Sequence, residues 1–510
     1  MVVLFRHKRQ FRHCHKTYLS FINTMTQQAQ EKSKKDKKKG EVKPVVPVHT
    51  ERRGMQRPPE EEEEDVRARA PIALVVRSPR GMQDVLWDDM RYWDVISDTF
   101  RQVASSFNMK KISVPVVEEA ALFERSIGET TDVVEKEMFF VKDRSGTTRL
   151  ALRPEFTAGV ARAYLEHGMS SKPQPVRMWY SGPVFRHDRP QAGRYRQLTQ
   201  FGVEVIGEGH PIIDVQVIHL AYEVYKALQL DAFRIDINSV GCLNKNCRPA
   251  YLNSLKKHGQ DNTRKLCVDC KRRTKVNPLR IFDCKEEKCQ VVANLAPKIT
   301  DHLCEQCKEH YQNVLRYLQD LGIPFRENTR LVRGLDYYTR TTFEITSTLP
   351  STDPISGLAL GGGGRYDGLI QLLGGPATPG IGFSGGMERI IMQMKSEGVE
   401  INSVDLPDVF LAHLGDLGRR RAVKLLDDLR RSGFKVAEAF HKEGIKAQLR
   451  NADRVKVQWT LILGQKEALD NTIILRNMES GMQETLDLNL DSLVPALKKR
   501  LHKEILTSHT

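Results

Sequence analysis

The first sustained apolar rhythm in the chain falls on Leu86, Met90, Trp93, Ile96, Phe100 and Val103. Steps of three and four residues predict an amphipathic helix. Runs rich in β-branched and aromatic residues at 112–117, 176–185 and 197–207 predict strands. In the last run Phe201, Val203 and Val205 share one face, and Gln200, Gly202 and Glu204 the other, because strand side chains alternate. One face reads as core, while its reverse carries an amide and a carboxylate on a single sheet surface. Residues 240 to about 325 differ in kind: they are Cys-rich, basic and punctuated by Asn277-Pro278 and Asp283-Cys284. They read as a mostly helical insertion. Strand patterns resume at 342–348 and in the glycine-rich 380–386, and a helix is expected from Met387, with Ile390, Ile391 and Met394 on one side. After Pro407, strand patterns at 409–413 and 460–463 alternate with helical ones at 419–432 and 493–501, which predicts an α/β unit.

Composition adds bounds rather than identity. A chain of 510 residues, 40% hydrophobic and 28% charged, has room for two or three globular domains. No run approaches the roughly 20 apolar residues of a membrane span, so a soluble protein without a membrane partner is expected. The net charge of +15 points towards a polyanion, but residues 1–50 hold twelve Lys or Arg against Glu31, Asp36 and Glu41. That surplus of nine leaves six for the other 460 residues, so charge supports a nucleic-acid partner only weakly. Residues 1–24 lack acidic side chains and read either as a mitochondrial presequence or as a dispensable extension ahead of Met25. The second reading is preferred, with a cytoplasmic location; the first makes the protein mitochondrial. A Lys-rich run at 32–39 and an acidic one at 60–65, with few apolar residues between, predict disorder up to about residue 70.

Three constellations carry candidate chemistry. Phe185-Arg186-His187-Asp188-Arg189-Pro190-Gln191-Ala192-Gly193-Arg194-Tyr195-Arg196 sets four arginines between two predicted strands. Arginine forks two donors and stays charged, which suits a polyphosphate; a solvated hairpin loop is the plain alternative. Arg333-Gly334-Leu335-Asp336-Tyr337-Tyr338-Thr339-Arg340 precedes Gly361-Gly362-Gly363-Gly364-Arg365-Tyr366-Asp367-Gly368. Four glycines admit a ligand where any Cβ would clash, or else form a flexible loop. Gly382-Phe383-Ser384-Gly385-Gly386-Met387-Glu388-Arg389 leads glycines into a helix, whose free N–H groups can face an anion. Arg389 reads equally as an exposed helix residue.

Together these runs resemble the class II aminoacyl-tRNA synthetases, and within them the histidyl family. The arginine run is similar to the second class signature and Gly380–Ile390 to the third, while the Arg333 and four-glycine segments resemble the two histidine-specific motifs. Leu152–Gly159 and Arg80–Asp84 also match, so the resemblance runs from about Arg77 to the C-terminal unit. It implies an α+β fold: a catalytic domain with a mainly antiparallel sheet flanked by helices, the helical Cys-rich insertion, and a C-terminal α/β anticodon-binding domain. The implied organisation is 1–70 a charged extension, 71–239 and 326–402 the two parts of the catalytic domain, 240–325 the insertion and 403–510 the anticodon-binding domain. The implied function is ATP-dependent ligation of histidine to tRNA(His) through a histidyl-adenylate, by a homodimer using Mg²⁺.

Residue by residue, the resemblance assigns Arg186 to the α-phosphate of ATP, Arg389 to adenine and the γ-phosphate, and Arg333 to the α-phosphate during attack. Glu155, Thr157 and Gln200 resemble ligands of the amino-acid backbone end, and Glu204 with Tyr338 ligands of the imidazole, beside Tyr337. A carboxylate and a phenol answer the donor and acceptor of an imidazole. Arg189, Arg194 and Arg196 are candidates for the tRNA acceptor end. Two positions depart from the pattern: Phe156 stands where many relatives carry glycine, and Asp188, an expected ATP contact, replaces the usual glutamate with a shorter reach. Two rival readings are a regulatory paralogue, against which Arg333, Arg389 and the unit after Pro407 argue, and a pseudo-synthetase module beside a kinase, against which the lack of a His-Arg-Asp and Asp-Phe-Gly signature argues.

Eight of nine cysteines lie between Cys242 and Cys307. They fall as Cys242-x₄-Cys247, Cys267-x₂-Cys270, Cys284-x₄-Cys289 and Cys304-x₂-Cys307. Thiol pairs at this spacing suit tetrahedral zinc, and one wide plus one narrow pair would hold each of two structural ions. The alternative is eight reduced cysteines packed as small apolar groups.

Overall fold

The computed structural model describes residues 77–507 apart from 129–130, 132, 143–145, 147, 190–192 and 402–405, with side chains as far as Leu501. The expectations for residues 1–70 lie outside these. Among the described residues eleven strands precede residue 400: Lys110–Lys111 (β1), Val117–Glu119 (β2), Phe139–Lys142 (β3), Arg149–Leu152 (β4), Val176–Phe185 (β5), Gln197–Ile206 (β6), Phe233–Ser239 (β7), Arg326–Glu327 (β8), Thr339–Ser347 (β9), Ala359–Arg365 (β10) and Gly380–Gly386 (β11). Eight of them form one sheet in the order β1-β5-β6-β11-β10-β9-β7-β8, and β2-β4-β3 form a small second sheet. Every ladder inside the large sheet is antiparallel; only its edge pairs β1–β5 and β7–β8 are parallel. The mainly antiparallel sheet expected of an α+β fold is present. Strand β11, late in the chain, fills the gap between β6 and β10.

The period-two pattern of β6 sorts its side chains as alternation requires. Phe201, Val203 and Val205 are fully buried with Ile381 and Phe383 of β11, against Ile96 and Phe100 of the helix Trp87–Ser106 and Val217 and Ile218 of the helix Pro211–Ala227. Each such side chain contributes roughly 1.5–3 kcal/mol on leaving water. The first helix forms over the expected rhythm, but its stripe is offset at the start. Leu86 and Met90 are exposed, and Tyr92, Ile96, Phe100 and Ala104 make the buried face.

The strand expected at 112–117 does not form. Residues 112–116 are irregular, because Pro115 has no N–H for a ladder and Arg153 takes their carbonyls instead. Its Nη1 donates to Val114 O at 2.7 Å and Pro115 O at 3.3 Å, and its backbone N–H to Val116 O at 2.9 Å. The four glycines are not a loop: Gly361–Gly364 lie in β10, paired on both sides.

Between β7 and β8 the chain is helical, with Arg248–Asp261, Val268–Val276, Glu287–Asn294 and Glu305–Asp320. The last of these joins the main core through Tyr311, Val314 and Leu318. The others pack on two small clusters, one of Leu266, Cys270, Cys284, Cys289 and Val292, the other of Tyr251, Leu255, Leu279 and Ile299. After Pro407 a third sheet comprises Val409–His413 (β12), Val436–Glu438 (β13), Trp459–Leu463 (β14), Thr472–Asn477 (β15) and Gln483–Asp487 (β16), in the order β13-β12-β14-β15-β16. It has its own core of Val409, Leu411, Leu429, Leu461, Leu475 and Leu493. Among the described residues no helix is long and apolar enough to cross a membrane.

Candidate functional site

The polar face of β6 opens into a cavity of about 440 Å³. Into it converge Glu155, Thr157, Arg186, Asp188, Gln200, Arg333, Tyr337, Tyr338 and Arg389, so one cleft gathers most of the residues singled out in the sequence. Glu204 is not among the lining residues; it is buried behind its bond to Thr157 and ringed by hydroxyls. Thr157 Oγ1 donates to it at 2.7 Å, Tyr180 Oη at 3.0 Å and Tyr366 Oη at 2.6 Å. Burial, helped by the nearby Glu155, pushes its carboxyl up to about 8 against the pull of these three donors. Opposite Glu204 in the ladder stands Gly382, where a Cβ would sit 1.8 Å from the carboxylate oxygen. Glycine at this position therefore makes the room that the acid occupies.

Glu155 closes the start of the helix Thr157–Glu166. Its carboxylate accepts from Thr157 N at 2.6 Å and Ala158 N at 2.9 Å, two amides that would otherwise lack partners. Burial raises its pKa, against the pull of those N–H groups and of Arg186. Gln200 donates through Nε2 to Ser384 Oγ at 3.0 Å, which leaves its buried Oε1 without a partner. That free acceptor suits an incoming N–H donor. Phe156, the first departure from pattern, stacks on Tyr180 at 4.2 Å and 9°, with the Arg153 guanidinium 3.9 Å over its ring. It thereby braces a phenol that bonds Glu204.

The arginines occupy the outer part of the cleft. Arg186 Nε donates to Pro154 O at 2.9 Å. Arg389 is not an exposed helix residue; it donates to Gly193 O at 2.8 Å and Ala359 O at 2.6 Å. Burial, then Arg194 and Arg186 nearby, lowers its pKa, so the cluster repels itself until an anion enters. Arg333 Nη1 donates to Glu344 Oε2 at 2.6 Å, while its buried Nε has no partner. Gly362 makes space for it, since a Cβ there would lie 2.6 Å from Arg333 Nη1. Asp188, the second departure, is held by Arg194 Nη1 at 2.9 Å. Arg194 lines the cleft, whereas Arg189 and Arg196 do not.

Sequence reasoning passed over Tyr180, Tyr366, Glu344 and Arg280. Tyr366 stood within the four-glycine motif, and Glu344 alternates with the buried Phe343 and Ile345, the same parity signal that exposed Gln200 and Glu204. Nothing in the local pattern marked Arg280, which reaches the cleft from the insertion.

Away from the cleft, all eight insertion cysteines are free thiols and gather into two sets. Cys242, Cys247, Cys304 and Cys307 form one, and Cys267, Cys270, Cys284 and Cys289 the other, with all sulfurs of a set within 4.8 Å of one another. Each set unites one wide and one narrow pair. Cys242 and Cys304 sulfurs lie 3.7 Å apart and those of Cys267 and Cys284 3.9 Å apart. Four thiolates at the usual zinc–sulfur length of about 2.3 Å stand about 3.8 Å apart around a tetrahedral ion. Backbone N–H groups of Cys242 and Cys304 point at Cys247 Sγ, and that of Cys267 at Cys289 Sγ.

Comparison with known proteins places this architecture. Residues 81–390 match the family model for histidyl-tRNA synthetase, and residues 408–500 that for an anticodon binding domain. Histidine–tRNA ligase of Dehalococcoides mccartyi is 44% identical over 425 residues, covering 83% of this chain and all of that one. The enzyme of Staphylococcus aureus is 42% identical over 426 residues, again 83% of this chain and all of the relative. The crystal structure of apo S. aureus histidyl-tRNA synthetase superposes with a TM-score of 0.70 at 38% identity, over 83% of this chain and all of that one. A Nostoc histidyl-tRNA synthetase shares the fold at 20% identity and a TM-score of 0.59. The chain belongs to the histidyl-tRNA synthetase family, the ligases that use ATP and Mg²⁺ to attach histidine to tRNA(His).

Proposed function

We propose that the cleft forms histidyl-adenylate and then passes the histidyl group to tRNA(His), with roles divided by depth. The carrying observation is the buried Glu204, ringed by three hydroxyl donors, one of them from Thr157, which lines a cavity that also holds Arg186, Arg333 and Arg389. Glu204 accepts the imidazole N–H and Tyr338 answers the other ring nitrogen, with Tyr337 packed alongside. The α-ammonium donates to Gln200 Oε1 and towards Glu155 beside Thr157. Arg186 takes the α-phosphate and Arg389 the adenine and γ-phosphate, with Asp188 orienting Arg194 at the mouth. As the histidine carboxylate attacks phosphorus, charge grows on the α-phosphate, and Arg333 stabilises it. Glu344 and Glu388 are the carboxylates suited to Mg²⁺: both line the cleft, and Glu388 Oε2 is buried without a partner. When bound, the ion neutralises phosphate charge.

The terminal ribose hydroxyl of tRNA then takes the histidyl group, with Arg194 the nearest of the loop arginines and Arg189 and Arg196 reaching further out. In this reading residues 71–239 and 326–402 form the catalytic domain, 240–325 the insertion, and 403–510 the anticodon-binding domain of a cytoplasmic homodimer. Both cysteine sets hold structural Zn²⁺, supported by their sulfur spacing and N–H···S contacts. Pyrophosphate exchange with each of the twenty amino acids tests the pocket: exchange with histidine alone is expected, and equal exchange with any other overturns the assignment. Sedimentation of the purified chain tests the dimer.

A further inference from the structure

The segment Arg333–Tyr338, which supplies both the attacking-step arginine and the two pocket tyrosines, is held from the insertion at both ends. Near its start, Arg280 Nη2 donates to Gly334 O at 2.8 Å and Asp336 Oδ1 at 3.4 Å. Asn277 Nδ2 donates to the same Asp336 Oδ1 at 3.1 Å. Near its end, Arg248 Nη1 donates to Tyr338 O at 2.6 Å. Just beyond, Arg340 N donates to Gly241 O and Val240 N to Arg340 O, each at 2.8 Å. The catalytic part contributes Asp336 N to Ile127 O at 3.1 Å and Arg333 Nη1 to Glu344 Oε2 at 2.6 Å.

The holding residues are placed with respect to the cysteines. Arg248 directly follows Cys247, and Gly241 directly precedes Cys242, both of the first set. Asn277 and Arg280 sit in the bend between Cys270 and Cys284 of the second set. That bend is short and tied to its flanks: Thr274 Oγ1 donates to Cys270 O at 2.8 Å, Arg273 Nη1 to Arg280 O at 3.4 Å, and Cys284 N to Ile281 O at 3.2 Å. Arg280 is 9% exposed and also braced by Asp283 Oδ2 at 3.1 Å, so its guanidinium has a fixed direction. A side chain held this way transmits the position of its bend to whatever it bonds.

We propose that Arg248, Asn277 and Arg280 are positioning residues through which the two zinc sites clamp the Arg333–Tyr338 segment, so that adenylate formation depends on metal bound outside the active site. The inference rests on the zinc assignment above. An arginine that must meet charge developing on phosphorus tolerates little displacement; an error of about 1 Å can cost about 10²-fold.

The test uses the full chain, purified without chelator, with zinc content, thermal melting and pyrophosphate-exchange kinetics measured on each variant. Two zinc ions per parent chain are expected. Arg280→Ala is expected to keep both and lose about 10- to 100-fold in kcat, with KM for ATP within a few-fold. Arg280→Lys, which restores one bond to Gly334 O, should recover part of the loss. Cys267→Ser/Cys270→Ser is expected to retain one zinc and fall in kcat by a similar factor. Should Arg280→Ala lower the melting point sharply, Asn277→Ala, which removes a single bond to Asp336, decides in its place. Two zinc ions with parental kcat in both the arginine and asparagine variants overturn the coupling and leave the zinc assignment standing. Less than a tenth of a zinc per parent chain overturns the assignment and with it the metal's control of the segment.

Discussion

Glu204 carries three donated hydrogen bonds yet sits so deep that its carboxyl is pushed up to about 8. Near pH 7 the unliganded pocket therefore holds mainly the protonated acid, whereas the ionised one is the stronger acceptor for an imidazole N–H. Binding that favours the ionised acid draws a proton off below about pH 8, so histidine affinity is expected to rise from pH 7 to pH 8. Glu204→Gln should bind histidine more weakly and lose this rise, since an amide does not titrate and lacks charge assistance. Histidine KM against pH in parent and variant measures the difference; superimposable profiles would sink the assignment. Arg333 bears on the opposite quantity. Arg333→Ala should lose about 10²–10³ in adenylation kcat while binding histidine within a few-fold, because a contact made chiefly in the transition state leaves the ground state alone. Full turnover with lost affinity would move Arg333 from the reaction to the pocket.

Glycines of the sheet shape the site as much as its charged groups do. A methyl group at Gly362 would meet Arg333 Nη1 at 2.6 Å and Phe343 O at 2.7 Å. Gly362→Ala is accordingly expected to cost about 1–3 kcal/mol in melting studies and more than about 10-fold in adenylation, even with Arg333 present. A variant as stable and active as the parent would show that the two do not crowd each other. Strand β5 was legible from its β-branched and aromatic residues, and β6 from its alternation of apolar and polar positions, from which Gln200 and Glu204 could be read. Less visible were the partners of Glu204. Tyr180 and Tyr366 reach it across the sheet, and such a pairing depends on the strand order β5-β6-β11-β10 that no local pattern encodes. The irregular 112–116 segment eluded the pattern for the same reason: Arg153, which takes its carbonyls, lies about 40 residues further along the chain. Short elements such as β13, and the hairpin β15–β16 with its half-exposed strands, offer too few alternating positions to stand out.

Across the whole molecule, the charge surplus and the active site are separate matters. Residues 1–50 hold nine of the fifteen net positive charges, while the matches to relatives begin near residue 81. Removing residues 1–70 is therefore expected to leave aminoacylation of tRNA(His) within about two-fold of the parent, since that stretch has no apolar pattern with which to join a core. A large rise in KM for tRNA would instead give the Lys run a part in capture. The order of the large sheet bears on synthesis as well. Strand β11 slots between β6 and β10 although it is made last of the three. Until residue 386 has left the ribosome, β6 and β10 each present a bare edge, and the wall of the cleft formed by Ser384 and Gly385 is missing. A nascent chain can neither recognise its amino acid nor hide those edges before that moment, and prematurely released fragments ending upstream should be sticky as well as inert.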